Sequence, residues 1–177
     1  MTLRTGILTI LFAFATVTYA QDSIPRKVDY GFLAGPNFTN YTQITSSKNL
    51  GFELGILANW KVGSGFTLDL APTISFEDYM EEQASGVSGR RDVTLLNVSS
   101  HIGYTPFKTG IKPTLYAGTR FQYDLSETPR YNEPTRLCLS AGFGATKKLR
   151  YFTFAPRFVI SMNENTQHYT LQLILRG

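Results

Sequence analysis

Two groups of residues in this chain could do chemistry. In the stretch "NVSSHIGY", Ser99 and His101 stand two apart, which on an extended strand puts them on one face. A serine beside a histidine is the pairing from which an activated nucleophile is built. A lipid-modifying membrane enzyme would need that pair near the outer leaflet, together with a third, orienting group. The strand order developed below sets Ser99 and His101 near the opposite end and facing inward, so ordinary packing is expected and no catalytic residue is assigned. His168 falls in the last polar connection, with no clear partner. The second group is one of charge: Glu53, Asp69, Arg120 and Arg157 interrupt polar faces otherwise made mostly of Thr, Ser, Gly, Asn and Gln. Glu53 and Arg120 are expected at similar outer depths, with Asp69 and Arg157 nearer the middle. Ion pairing that neutralises buried charge is the expected role, and a proton or ligand path is the alternative. No phosphate-binding glycine loop, histidine-rich cluster or zinc spacing occurs, so neither metal nor cofactor is expected.

The elements that position these residues are read from period-two alternation, which recurs throughout the chain where no helical periodicity is sustained. Eight segments alternate. The first, "YGFLAGPNF", sets Tyr30, Phe32, Ala34, Pro36 and Phe38 on one face. The second, "GFELGILANWKV", sets Phe52, Leu54, Ile56, Ala58, Trp60 and Val62 against Glu53, Gly55, Asn59 and Lys61. The third is "FTLDLAPTISFE", and "TLLNVSSHIGY", "PTLYAGTRFQY", "LCLSAGFGAT", "YFTFAPRFVISM" and "YTLQLILR" complete the set. The connections alternate in length: a tight turn at Gly63 and Ser64, "TPFKTGIK" and "KKLR" at one end, and longer polar stretches such as "DYMEEQASGVSGRRD" and "SETPRYNEP" at the other. Short turns on one side and longer loops on the other are the pattern of an up-and-down barrel that crosses an outer membrane with its short turns in the periplasm.

The N-terminus agrees with export. Arg4, an apolar run from Ile7 to Val17 and the small-residue site ending at Ala20 match a secretory signal peptide. Residues 1–20 are therefore expected to be removed, leaving residues 21–177 as one barrel domain. Cys138 is the only cysteine of the chain, so no intramolecular disulfide supports the fold. The mild positive balance, 17 Lys plus Arg against 13 Asp plus Glu, is scattered and does not form the clustered basic face that nucleic-acid binding requires.

Which face meets lipid follows from the composition of each. A soluble sheet exposes a face rich in Lys and Glu, whereas the polar face here suits a packed interior. The all-β chain is thus expected to be an eight-stranded antiparallel transmembrane barrel, with its apolar face toward lipid and a polar lumen. A soluble periplasmic barrel of lipocalin type would instead turn its large apolar residues inward around a small apolar ligand. Aromatic girdles are expected from Trp60, Phe66, Tyr104 and Phe152 at the periplasmic end and from Phe38, Phe76, Tyr79 and Tyr123 at the outer end. Pro36, Pro72 and Pro156 lie inside strands and each removes a ladder donor, for which a bulge or a bound water is expected to compensate. The expected partners are outer-membrane lipid and lipopolysaccharide, with a protein partner at the outer loops or at the lysine-bearing periplasmic rim.

The motifs "GFLAGPNF", "GFELGILANW", "FTLDLAPTISFE", "KPTLYAGTRFQY" and "AGFGATKKL", in this order and spacing, resemble the PorT-like family of small outer-membrane β-barrel proteins over nearly the whole mature chain. That resemblance implies the same barrel and an outer-membrane location; the role expected of the chain is non-enzymatic, as a structural, adhesive or assembly and secretion-associated component acting through its outer loops. The chain departs from the family at Ser99, where proline is frequent, and at Leu175-Arg176-Gly177, where such barrels carry an aromatic residue.

Overall fold

The eight alternating segments form eight strands in the computed structural model, which describes residues 28–41, 49–82, 88–107, 109–126, 134–164 and 166–176, with side chains for all of these except 41, 49, 79–82 and 88–91. The leader expected over 1–20 lies outside the described residues. The strands are β1 (Val28–Tyr41), β2 (Asn49–Gly63), β3 (Phe66–Glu82), β4 (Ser88–Tyr104), β5 (Lys112–Asp124), β6 (Thr135–Lys148), β7 (Thr153–Met162) and β8 (Thr166–Arg176). Each pairs antiparallel with the next, and β8 pairs antiparallel with β1, which closes the barrel.

The register fixes the barrel's shape. Stepping from partner to partner, Tyr30 meets Ala58, then Leu70, Ser100, Thr119, Leu139, Met162 and Gln167, and the path returns to β1 at Asn40, ten residues along. A stagger of that size in eight strands tilts them by roughly 40° from the axis. At ~3.3 Å per residue, a ten-residue strand so tilted rises about 25 Å, the height of a transmembrane apolar band. The shortest strand, β7, has 10 residues and therefore just spans. At 17 residues each, β3 and β4 exceed that height and run on as a hairpin beyond the barrel. Their mutual pairing continues to Glu82 and Ser88, whereas β2 follows β3 only to Asp78 and β5 follows β4 only to Leu95. The long loop "DYMEEQASGVSGRRD" expected from the sequence is thus mostly strand among its described residues, and Glu77, which precedes it, is enclosed in the lumen.

Side chains alternate across the barrel wall. Phe32, Leu54, Ile74, Ile102, Leu115, Leu139, Phe143 and Leu173 point outward and are exposed, while the enclosed positions carry Glu53, Asp69, Asn97, Arg120, Arg157 and Gln172. The lumen is not polar throughout, as the alternation alone suggested. Leu33, Leu57, Ala71, Ala155 and Ile174 form one buried apolar cluster from β1, β2, β3, β7 and β8, because an eight-stranded interior has to be filled by side chains. The run Ile56-Leu57-Ala58 is apolar in succession, so only parity with Glu53 and Asn59 assigns Leu57 to the inside.

No bulge accompanies the three strand prolines. The ladder skips two residues at one neighbour while the register stays constant: between Ala34↔Leu173 and Asn37↔Thr170 beside Pro36, between Gly55↔Thr73 and Ala58↔Leu70 beside Pro72, and between Gly144↔Arg157 and Lys147↔Phe154 beside Pro156. On the opposite side each proline keeps its partner, respectively Phe52, Val98 and Leu173. Each break also contains or adjoins an inward-facing glycine, Gly35, Gly55 and Gly144 respectively. A methyl group on Gly35 would lie 1.8 Å from the Leu171 carbonyl oxygen, and one on Gly55 would lie 2.4 Å from that of Pro72. The missing side chain lets the facing strand's backbone carbonyl lie against the glycine at the place where the proline interrupts the ladder. At the β2–β3 hairpin the central residues are Ser64 and Gly65, one position on from the expected pair, at φ 51° and 86°, which is the twist-matched geometry that favours two-residue hairpins.

Replacing Gly35 with Ala forces a methyl group into backbone that cannot move independently. The expected loss is about 2 kcal/mol or more, read as a lower midpoint of urea unfolding in detergent micelles. An unchanged midpoint would show that the carbonyl contact is not a constraint.

Candidate functional site

The alternation that sends apolar side chains outward delivers five polar residues from five strands into the lumen. Glu53 comes from β2, Asp69 from β3, Arg120 from β5 and Arg157 from β7. Gln172 of β8 is the fifth, and all five are at most 2% exposed. Arg120 Nη2 donates to Glu53 Oε2 at 2.5 Å. Arg157 Nη1 donates to Asp69 Oδ2 at 3.0 Å. Gln172 joins the two pairs, since its Oε1 accepts from Arg157 Nε and its Nε2 donates to Glu53 Oε1 at 2.7 Å. Asn59 Nδ2 donates to the remaining oxygen of Asp69. Both carboxylates therefore use both oxygens, which is the condition under which buried charge is tolerable. The Arg157 guanidinium also lies 5.4 Å from the centre of the Tyr116 ring, within the range of a cation–π contact.

A branch runs toward β6. Ser75 Oγ donates to Glu53 at 3.2 Å and accepts from Asn97 Nδ2 at 2.7 Å. Gln122 Nε2 donates to Asn97 Oδ1 at 3.1 Å, and Cys138 Sγ donates to Gln122 Oε1 at 3.5 Å. A second branch corrects the reading of His168. It belongs to β8 and not to a loop, and it is fully buried. Its Nδ1 lies 2.7 Å from Thr39 Oγ1 and 3.3 Å from Glu77 Oε1, and its Nε2 lies 3.8 Å from Glu53 Oε2. The eighth strand begins at Thr166, and the parity of Thr170 and Gln172 carried back by two residues would have placed His168 inside.

Ser99 and His101 both face the lumen, each 2% exposed. Neither ring nitrogen of His101 has a hydrogen-bond partner among the described residues, so the serine–histidine bond on which a nucleophile depends is not made. Among the described residues no group of His, Cys, Asp and Glu is placed to hold a metal ion. The aromatic residues named from the sequence fall at the two ends. Phe66 and Tyr104 sit together where β3 begins and β4 ends, with ring centres 4.8 Å apart. Phe152 is exposed and Trp60 half-buried near the same end, whereas Phe38 and Phe76 are exposed and Tyr123 half-buried toward the other. The side chain of Tyr79 lies outside the described ones.

What the lumen arrangement can do is hold its strands together by charge that has no other outlet. Arg157→Leu strands the Asp69 carboxylate in a dry interior, at an expected cost of about 3–5 kcal/mol, visible as a lower melting temperature in detergent. Gln172→Leu should cost less but should weaken both pairs, so the double variant with Arg120→Leu should cost less than the sum of the two single effects. Equal stability of wild type and Arg157→Leu would remove the network from any account of the fold.

No family model and no curated protein matches the chain. Among solved structures, Ail, the attachment invasion locus protein of Yersinia pestis, superposes with a TM-score of 0.51 at 11% identity over 84% of this chain and 95% of Ail. A de novo designed transmembrane β-barrel gives 0.46 at 15% identity over 87% and 98%. The N-terminal barrel domain of Pseudomonas aeruginosa OprF gives 0.35 at 13% over 83% and 97%. At these identities the likeness to Ail is one of fold: the chain is a closed eight-stranded antiparallel barrel of the outer-membrane type.

Proposed function

We propose that the chain is an integral outer-membrane protein without enzymatic activity, exported by its N-terminal leader, and that it serves as a structural, adhesive or assembly and secretion-associated component through its outer end. The observation that carries this reading is the inverted polarity of the barrel. Bulky apolar side chains point outward and lie exposed, among them Phe32 at 74% and Leu139 at 71%, while the charged residues Arg120, Arg157, Glu53 and Asp69 are enclosed. In water that surface would be a very large aggregation-prone patch; in lipid it is the required one. A ligand-binding soluble barrel needs the opposite arrangement, and the lumen here is occupied by its own network.

The filled lumen also argues against a pore. Function on this reading belongs to what projects from the rigid scaffold, and the β3–β4 hairpin projects furthest. Among the described residues its ladder to β2 ends at Asp78 and its ladder to β5 ends at Leu95. Outer-membrane lipid and lipopolysaccharide are the surrounding partners.

The mature protein should be recovered in the outer-membrane fraction and should migrate faster on a gel unboiled than boiled, because folded barrels resist detergent until heated. In planar bilayers it should give no conductance steps. A soluble protein with no heat-dependent shift would overturn this reading.

A further inference from the structure

We infer that the rim carrying the β4–β5 and β6–β7 turns is a binding arc for the headgroups of anionic phospholipids, an inference that rests on the membrane reading above. Among the described residues, the accessible cations at the end that carries the turns are Lys61, Lys112, Lys147, Lys148 and Arg150, with Arg176 buried at the same end, against the single acid Asp29. Lys61 is already answered, its Nζ 2.7 Å from Asp29 Oδ2. The other four gather on one side of the rim. Lys112 opens β5 and is in register with Thr146, and Lys147 and Lys148 close β6 opposite Phe154 and Thr153. Arg150 stands in the turn that follows. None of the four has a carboxylate within ion-pair distance among the described residues.

The setting of these cations selects the kind of anion. Leu149 N donates to Phe152 O at 2.8 Å, which closes the β6–β7 turn and puts Arg150 and Tyr151 at its tip, the guanidinium 5.2 Å from the ring centre. Tyr151 is 78% exposed, and Ile111, Leu149 and Phe152 are exposed beside it. A protruding aromatic ring next to unpaired cations fits a surface that is charged outside and hydrocarbon just beneath, where rings lie at headgroup depth and basic side chains extend to phosphate. Among the described side chains the other end carries one Lys or Arg, the half-buried Arg136, and exposes the acids Asp92 and Glu164. An acidic soluble partner would meet the charges but would leave Ile111 and Tyr151 without a reason to project.

The test places the mature barrel in nanodiscs of phosphatidylcholine doped with spin-labelled phosphatidylglycerol or spin-labelled phosphatidylcholine, and measures the fraction of each label immobilised at the protein. About a fivefold preference for phosphatidylglycerol is expected at low salt, falling toward equality in 1 M salt as the charges are screened. The preference should vanish in the variant K112Q/K147Q/K148Q/R150Q, persist in K147R/K148R and be untouched by R136Q at the other end. Equal immobilisation of the two lipids by a folded, inserted wild-type barrel would overturn the inference alone, as would a preference that survives the four glutamines. Failure of the wild type to insert and show its heat-dependent shift would overturn the membrane reading itself. Should the four-glutamine variant not fold, the salt titration of the wild type decides.

Discussion

Everything else in this barrel depends on the pairing of charge inside a wall that lipid surrounds. Once the apolar side chains face out, the alternate positions of every strand must face in, and Glu53, Asp69, Arg120 and Arg157 are enclosed whether or not they are matched. They are matched, and by partners 67 and 88 residues away along the chain. Gln172 makes the two pairs one structure, because a neutral amide offers a donor at one end and an acceptor at the other. Replacing such a network with hydrocarbon is often harmless in soluble proteins. Here it also opposes a slip of register, since a shift of one residue in any of these strands would turn that strand's enclosed charge into the bilayer.

The backbone carries a second constraint, and proline and glycine share it. Hydrocarbon offers no water to an unpaired carbonyl, so a strand proline is admissible only where the fault is confined to one neighbour and the adjoining strand can close in. Pro36, Pro72 and Pro156 each keep a full ladder on one side, and the glycines at the three breaks permit close backbone approach on the other. The prolines face outward, where a ring is simply another apolar group, and the glycines face inward, where space is short.

How much of this was legible from the residues depended on whether the information was local. Eight strands and their order were readable because alternation needs only near neighbours, and the depth of Glu53, Asp69, Arg120 and Arg157 could be approximated by counting from the turns. Gln172, Asn97 and Ser75 were not picked out, because an uncharged polar residue on a polar face carries no mark of its own and acquires its role from register. His168 was assigned to a loop because Asn163, Glu164 and Asn165 before it read as a turn, and Leu57 was hidden by apolar neighbours on both sides. The extension of β3 and β4 was missed for a related reason: "EDYMEEQ" is too charged to read as strand once the pairing that sustains it is out of view. The Ser99 and His101 pairing looked promising on spacing alone and is enclosed once the barrel closes.

The way the lumen network is distributed has a consequence for how the molecule comes into being. Its members lie on β2, β3, β5, β7 and β8, so no contiguous half of the chain contains a matched set. A partly inserted sheet would hold Glu53 and Asp69 without Arg157 or Gln172, and it would meet the hydrocarbon with bare charge on its inner face. Intermediates with an open seam are therefore disfavoured in the bilayer itself, and insertion and closure are bound into a single cooperative event. The last strand acts as a latch, completing in one motion the backbone ladder with β1 and the electrostatic circuit behind it.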